Sequence, residues 1–176
     1  MNEHHTCWDQ RFLALAAHVA AWSKDPSTRC GCVLVDTNRR MLSAGYNGFP
    51  RGTNDSPGCL ADRPTKLART LHAEANALLF ARGPVVGATA YVWPMPPCSQ
   101  CAAMLAQAGI ARVVAHHPSR TQWRRWHDSW DHAETIYCQA GVIFDQLELA
   151  PSPDGPRAGP RIDATTEATT EAPTHD

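Results

Sequence analysis

The sequence lacks an excess of charge of either sign. Lysine and arginine together number 16, aspartate and glutamate 17, and the formal net charge is -1. Proteins that bind nucleic-acid polymers usually carry a strongly basic surface, which attracts the phosphate backbone. The balanced charge therefore argues against nucleic acid as a partner and favours a small-molecule ligand.

Long hydrophobic runs are missing too. No apolar stretch approaches the roughly 20 residues that a membrane-spanning helix needs. The opening residues, MNEHHTCWDQ, lack the basic-then-apolar order of a secretory signal. The seven cysteines are scattered rather than regularly paired, which is typical of a reducing compartment. We therefore expect a cytoplasmic protein, without membrane contact, whose thiols serve packing or metal binding.

The composition changes sharply near the C-terminal end of the chain. With 176 residues the chain has the length of one ordinary domain. Its last stretch, PSPDGPRAGPRIDATTEATTEAPTHD, contains too few large apolar side chains to offset the entropy lost on ordering. We predict a folded domain over residues 1–149 and a disordered Pro/Ala/Thr-rich tail over residues 150–176.

Hydrophobic periodicity predicts alternating helices and strands. The expected strands are CVLVD and MLSAGY, which form a hairpin through TNRR, followed by ATAYVW, ARVVAH and VIFDQL. The expected helices cover residues 8–23, 70 to about 83, 98–109 and 128–140, and a long loop is expected at 49–66.

The connection between the last two strands predicts the sheet topology. About 25 residues, including a helix, separate the fourth strand from the fifth, and such a connection joins parallel strands by a right-handed crossover. The first two strands form an antiparallel hairpin, so the sheet is mixed. The fold class is therefore α/β, a three-layer helix-sheet-helix sandwich around a mixed five-stranded sheet.

Two short motifs place metal-binding side chains at the starts of helices. His72 and Glu74 lie at the head of the segment TLHAEANALL, and Cys98 and Cys101 lie three residues apart in PPCSQC. Residues three apart on a helix share one face. The positive end of the helix dipole also favours thiolate over thiol. His72, Cys98 and Cys101 are thus predicted to bind one zinc ion.

Three protein ligands leave the fourth corner of a tetrahedral zinc open for water, which is the pattern of a catalytic site. Glu74 is poorly placed to bind the same ion but well placed to take a proton from that water. A His-x-Glu followed by Pro-Cys-x-x-Cys is the signature of zinc deaminases, in which the glutamate is the acid and base. Packed thiols beside a surface His and Glu are the alternative. The loop before His72 offers only Cys59, so one zinc ion is expected.

Several stretches together resemble the deoxycytidylate (dCMP) deaminases of the zinc-dependent cytidine deaminase superfamily, over roughly residues 8–148. They are WSKDPSTRCGCVLVD, GYNGFPRG, HAEANALL, PPCSQCAAMLAQAGI and WHDSWDHAETIYCQAGVIF. The resemblance implies a cytidine deaminase-like fold and hydrolysis of dCMP to dUMP and ammonia, which supplies dUMP for thymidylate synthesis. It also implies a homo-oligomer, often a hexamer, and often regulation by dCTP and dTTP.

Several polar residues are candidates for holding the sugar and phosphate. The amide of Asn47 can both donate to and accept from a sugar hydroxyl, although a turn asparagine is the alternative. Lys24 and the hydroxyls of Ser27 and Thr28 are predicted to hold a 5′-phosphate, or else they are solvated loop residues. Arg51 is a further candidate for a substrate or effector phosphate, against an ordinary surface arginine.

An aromatic residue is predicted near the base. In the resembled family an aromatic residue followed by a basic one lies at the substrate mouth, which implies a stacking role for Trp126 and a gating role for His127. Trp123 and Trp130 are expected to pack in the protein. The sequence departs from the family in having tryptophan where tyrosine is usual at position 126, and VWPMPPC where one proline is common, so the pocket shape can differ.

Three functions remain open on this basis. The first is deamination of dCMP or a related cytosine substrate, such as a 5-modified dCMP, dCTP or deoxycytidine. The second is deamination of a base within tRNA or single-stranded nucleic acid, which the balanced charge disfavours. The third is a zinc module without enzymatic activity, which Glu74 disfavours because a purely structural site has no use for an unligated carboxylate.

Overall fold

The computed structural model of the chain describes residues 3–150. The helices are α1 (Glu3–Ala20), α2 (Pro57–Ala61), α3 (Arg63–Arg69), α4 (Ala73–Phe80), α5 (Ser99–Gln107) and α6 (Arg120–Ala140). The strands are β1 (Gly31–Val35), β2 (Met41–Tyr46), β3 (Thr89–Trp93), β4 (Arg112–His116) and β5 (Ile143–Leu147). Apart from Ala150, the predicted tail lies outside the described residues, so its disorder stays a prediction.

The five strands form one mixed sheet in the order β2-β1-β3-β4-β5. Strand β1 is antiparallel to both β2 and β3, whereas β3, β4 and β5 run parallel to one another. The predicted hairpin and the predicted parallel pairing of the last two strands are both confirmed. None of the helices within residues 3–150 is long and apolar enough to cross a membrane.

Helices cover both faces of this sheet, and the alternation of side chains along β1 shows why. Val33 and Val35 point toward α1, where they join Phe12 in one core cluster. Cys32 and Leu34 point the other way, into a core cluster that also contains residues of α4, α5 and α6. Because successive side chains of a strand face opposite sides, a strand that is apolar throughout must be covered on both faces. The three-layer sandwich is confirmed.

Two helical regions differ most from the prediction, and side-chain capping accounts for α3 and for the start of α6. The segment expected to be a loop contains α2 and α3, and the side chain of Asp62 caps α3 by accepting a hydrogen bond from the Thr65 backbone. Helix α6 begins at Arg120 rather than near 128, because Ser119 and Gln122 form a capping box. A capping side chain is thus present at the starts of α3 and α6, whereas α2 begins with Pro57 and has no side-chain cap.

Helix α4 lies unusually close to strand β2. A Cβ atom built on Gly45 would lie 2.3 Å from the Ala77 nitrogen and 2.4 Å from the Ala73 carbonyl oxygen. Only glycine allows the two backbones to approach to this distance. The start of α4, which carries His72 and Glu74, is therefore seated directly on the sheet.

Candidate active site

His72 stands at the N-cap position of α4, in extended backbone conformation. The residues before it are fixed by a pair of backbone hydrogen bonds, since the Gly48 N–H donates to the Leu71 carbonyl at 3.1 Å and the Leu71 N–H donates to the Gly48 carbonyl at 2.8 Å. The imidazole makes no capping bond to its own helix. It is therefore free to act as a metal ligand.

The two thiols approach the same imidazole from helix α5. Cys98 is the N-cap of α5 and Cys101 lies in its first turn. The Nδ1 atom of His72 is 3.4 Å from the Cys98 sulfur and 3.3 Å from the Cys101 sulfur. All three ligand atoms lie within 4.8 Å of one another.

These distances fit a zinc ion. With Zn–N near 2.1 Å and Zn–S near 2.3 Å, a tetrahedral centre separates its nitrogen and sulfur ligands by about 3.6 Å. The observed separations are slightly shorter, so the three atoms surround a space of the right size. Two thiolates with one imidazole are also a ligand set typical of catalytic zinc. The predicted ligands His72, Cys98 and Cys101 are therefore brought together, on the two facing helix starts, as a site for one ion.

The two sulfur atoms differ in acidity. A hydrogen bond from Cys101, followed by one with His72, lowers the pKa of the Cys98 thiol to about 4, although burial opposes this effect. The hydrogen bond with Cys98, together with burial, raises the pKa of the Cys101 thiol. The lowered pKa of Cys98 favours the thiolate, which is the form that binds metal.

Glu74 lies within the first turn of α4 and is only 5% exposed. Burial raises the pKa of its carboxyl group above the usual value, while the nearby His72 partly opposes that rise. The carboxyl group is therefore shielded from bulk water at the wall of the metal-binding pocket. This placement agrees with a group that exchanges protons with a bound molecule rather than with solvent.

One pocket connects the metal ligands with several other predicted residues. Besides His72, Glu74 and Cys98, its lining includes Ser27, Thr28, Asn47 and Trp126. The lining also contains Val92, Met95 and Pro96, which give part of the cavity an apolar wall. Polar and apolar groups converging beside a metal site are the usual composition of a small-molecule pocket.

Asn47 ties together the two loops that form one side of this pocket. Its side-chain oxygen accepts from the Cys30 N–H at 2.7 Å, and its side-chain nitrogen donates to the Thr28 carbonyl at 2.9 Å. In the same region the Ser23 hydroxyl donates to the Asn47 carbonyl at 2.8 Å. Asn47 thus has a structural role in the pocket wall, and each amide atom retains one further hydrogen-bonding position.

Three of the predicted residues do not line the pocket. Lys24 donates to Asp55 at 2.7 Å on the surface. The His127 ring stacks on Trp123 with a centroid separation of 4.8 Å. The Arg51 guanidinium lies 5.5 Å from the centre of the Phe80 ring. Direct substrate contact by these three residues stays a prediction.

Other pocket residues escaped the sequence analysis, above all three cations: Arg63, Lys66 and Arg125. Lys66 is buried and donates to Asp25 at 3.0 Å and to the Ser27 hydroxyl at 2.9 Å. Arg63 and Lys66 belong to α3, within the segment that was expected to be a loop. Arg125 directly precedes Trp126, but no spacing rule distinguishes it from Arg124.

Asp25 holds the loop beneath Lys66. Its carboxylate accepts hydrogen bonds from the backbone N–H groups of Ser27 and Thr28 at 2.7 and 3.0 Å. Burial alone would raise the pKa of Asp25, but these two bonds and Lys66 lower the pKa overall. The carboxylate is therefore charged at neutral pH and neutralises the buried Lys66 ammonium group.

Comparison with known proteins identifies the family. Residues 6–117 match the family described as the cytidine and deoxycytidylate deaminase zinc-binding region. An uncharacterized deaminase from the luxG 3′ region of Aliivibrio fischeri is 39% identical over 142 residues, covering 81% of this chain and 95% of that protein. Mouse deoxycytidylate deaminase is 34% identical over 147 residues, covering 78% of each chain.

A solved structure has the same fold. The dCMP deaminase of cyanophage S-TIM5 in complex with dCMP and dUMP has a TM-score of 0.60 at 21% identity, over 84% of this chain and 99% of that one. The resemblance that the sequence motifs indicated is confirmed. The chain belongs to the cytidine and deoxycytidylate deaminases, a family of zinc-dependent hydrolases.

Proposed function

We propose that this protein hydrolyses dCMP to dUMP and ammonia and so supplies dUMP for thymidylate synthesis. The observation that carries the proposal is the convergence of His72, Cys98 and Cys101 within 4.8 Å at a pocket that Glu74 also lines. Relatives that are named deoxycytidylate deaminases, from mouse and human, support the choice of substrate at 34% and 33% identity.

The chemistry divides between the metal and Glu74. Zinc held by His72, Cys98 and Cys101 would supply a water molecule whose pKa is lowered to about 7. Glu74 accepts a proton from the attacking water and delivers it to the ring nitrogen beside the reacting carbon. It then takes the second proton from the hydroxyl now on that carbon and passes it to the departing amino group. The C–N bond to that group breaks, ammonia leaves, and the ring carbon keeps the water oxygen as a carbonyl.

The remaining pocket residues suit a nucleoside monophosphate. The ring of Trp126 and the apolar side chains of Val92 and Met95 offer surfaces for a flat pyrimidine ring. Asn47 has one free donor and one free acceptor position for a sugar hydroxyl. These groups orient the base so that its amino-bearing carbon faces the metal end of the pocket.

The arginines at the pocket suit a phosphate. Arg63 and Arg125 are exposed, and within residues 3–150 neither guanidinium forms an ion pair. A guanidinium presents a planar pair of donors that matches phosphate oxygens. Lys66 uses two of its three N–H groups on Asp25 and Ser27, which leaves one donor for the ligand. We assign phosphate binding to the two arginines first and to Lys66 second.

A substrate panel tests the proposal. Zinc-loaded protein is incubated separately with dCMP, CMP, dCTP, deoxycytidine, 5-methyl-dCMP, single-stranded DNA and tRNA, and ammonia release is measured. We expect dCMP to give the highest kcat/KM. A Glu74→Gln control should keep its zinc and lose about 100-fold or more of the activity. Preference for a polymer would overturn the substrate, and full activity of the Glu74→Gln protein would overturn the mechanism.

Self-association, regulation and location are further expectations. A homo-oligomer, often hexameric in the resembled family, is supported by exposed apolar side chains on or near edge strand β2, since Trp22, Met41 and Tyr46 are 56%, 57% and 41% exposed. Light scattering with and without dCTP or dTTP measures both the oligomer size and any effector response. Cytoplasmic location stays a prediction from the opening residues, the short apolar runs and the cysteine usage.

A further inference from the structure

The N-terminus of α5 lacks the side-chain cap that helix starts usually have. Preferred N-cap residues carry an oxygen that accepts a hydrogen bond from a backbone N–H in the first turn. Here the N-cap is Cys98, which makes no such bond. Its sulfur instead lies 3.4 Å from His72. This position suits a metal ligand, and it leaves the start of α5 without a capping oxygen from its own N-cap residue.

A serine from another helix bonds to this helix start. The backbone N–H of Ser99, the first residue of α5, donates to the hydroxyl of Ser129 in α6 at 3.0 Å. The Ser129 hydroxyl in turn donates to the Ser99 hydroxyl at 3.2 Å. Ser129 thus satisfies one of the N–H groups that a helix start leaves unpaired.

The next residue of α6 fixes the other side of Cys98. The indole N–H of Trp130 donates to the Pro96 carbonyl at 3.0 Å, and Trp130 is 6% exposed. A buried carbonyl that loses its partner costs free energy, so this bond holds the loop firmly. Trp130 therefore bonds to Pro96, two residues before Cys98, and Ser129 bonds to Ser99, one residue after it.

We propose that Ser129 and Trp130 are positioning residues for the zinc site, which set the metal affinity by fixing the backbone on both sides of Cys98. A displacement of this loop would move the Cys98 sulfur away from His72 and Cys101. Groups that orient metal ligands without touching the metal commonly change metal affinity 10- to 100-fold when they are removed. The inference rests on the zinc site and not on the identity of the substrate.

The same helix also supplies pocket residues. Arg125 and Trp126 line the pocket from α6, about one turn before Ser129 and Trp130. Packing of α6 therefore determines two positions at once, that of the Cys98 loop and that of the substrate wall. A loosened contact between α6 and the loop should lower metal affinity. It should also lower kcat, because the reacting carbon of the substrate would no longer be aligned with the metal site.

Four variants and two controls test this role. Ser129→Ala removes the hydroxyl that bonds to Ser99, and Trp130→Phe removes the indole N–H that bonds to Pro96. Ser129→Thr retains the hydroxyl, and the double variant removes all of these bonds. The hydroxyl control is Thr135→Ala, because Thr135 lies on the same helix and its hydroxyl donates to the Asp131 carbonyl within that helix. The indole control is Trp123→Phe, because Trp123 also lies on α6 and is 55% exposed.

Zinc dissociation constants are measured by competition with a chelator, and the cobalt-substituted proteins are compared by absorption spectroscopy. We expect zinc affinity to fall roughly 10-fold in Ser129→Ala and in Trp130→Phe, and further in the double variant. The cobalt bands, which report thiolate ligation, should shift in intensity. Ser129→Thr should recover most of the affinity, and both controls should match the unaltered protein.

Other outcomes would overturn the proposal. If zinc affinity and cobalt spectra stayed unchanged in the double variant, α6 would have no role in metal positioning. If thermal stability fell equally in the presence and absence of zinc while zinc affinity stayed constant, the hydrogen bonds of Ser129 and Trp130 would serve packing alone. Because these measurements need no substrate, they stay informative even if dCMP proves to be the wrong substrate.

Discussion

The two ends of the pocket are built differently. The metal end, formed by His72, Glu74, Cys98 and Cys101, lies at two helix starts whose backbones are fixed by hydrogen bonds and close packing. The other end, called the mouth below, carries Arg63 and Arg125, which are exposed and form no ion pairs within residues 3–150. Chemistry at a metal demands positions fixed to fractions of an ångström, whereas attraction of a phosphate tolerates mobile cations. Substitutions at the metal end should therefore abolish activity, whereas those at the mouth should change the KM for the substrate.

Loss of one metal ligand should have the largest effect. Cys101→Ser replaces a buried thiol with a hydroxyl, a much poorer ligand for zinc. We expect the purified variant to lose its zinc and its deaminase activity to fall to background, as measured by metal analysis and ammonia release. Cys138→Ser, which alters an exposed thiol, is the matched control. Retention of zinc and full turnover by Cys101→Ser would mean that the site is built from other ligands.

Disturbing the close packing of α4 against β2 should have the next largest effect. In Gly45→Ala the new methyl group would lie 2.3 Å from the Ala77 nitrogen, so α4 must move off the sheet. We expect a loss of about 3 kcal/mol in the free energy of unfolding, measured with denaturant, together with weaker zinc binding. Gly58→Ala is the control, since a Cβ there meets no atom within 4 Å. Equal stability of the two variants would show that the close approach of α4 is not required.

Removing a cation from the mouth should change affinity and spare the chemistry. Arg125→Ala should raise KM for dCMP about tenfold, because a charge-assisted bond to phosphate is lost at an exposed site. Turnover of deoxycytidine, which has no phosphate, should stay unchanged. Arg124→Ala changes the neighbouring exposed arginine, which does not line the pocket. If both variants raise KM alike, the effect is long-range attraction rather than a contact with Arg125.

The same contrast explains what the sequence could predict. His72, Glu74, Cys98 and Cys101 belong to two spacing motifs, because a metal site at a helix start imposes a fixed separation along the chain. The mixed sheet followed equally from hydrophobic patterns and connection lengths. Both are features in which geometry restricts the local sequence.

The mouth left no comparable pattern. Arg63 and Arg125 lie far apart in the sequence. They line the same pocket because α3 and α6 both border it in the fold. Helix α3 itself was missed, since its proline and charged residues resemble a loop. The role of Asn47 in joining two loops depends on the Thr28 carbonyl and the Cys30 N–H, and backbone groups leave no trace in a sequence.

Lys24 offers the finest test of the contrast between the two ends. It was predicted to hold the phosphate, but its ammonium group pairs with Asp55 on the surface and its side chain is 68% exposed. Exposed ion pairs contribute little and are easily exchanged for other partners. We expect Lys24→Met to change KM for dCMP by less than roughly twofold, well below the effect of Arg125→Ala. A tenfold rise in KM, with kcat unchanged, would instead mean that Lys24 leaves Asp55 when the nucleotide arrives, which extends the mouth of the pocket to the loop that precedes β1.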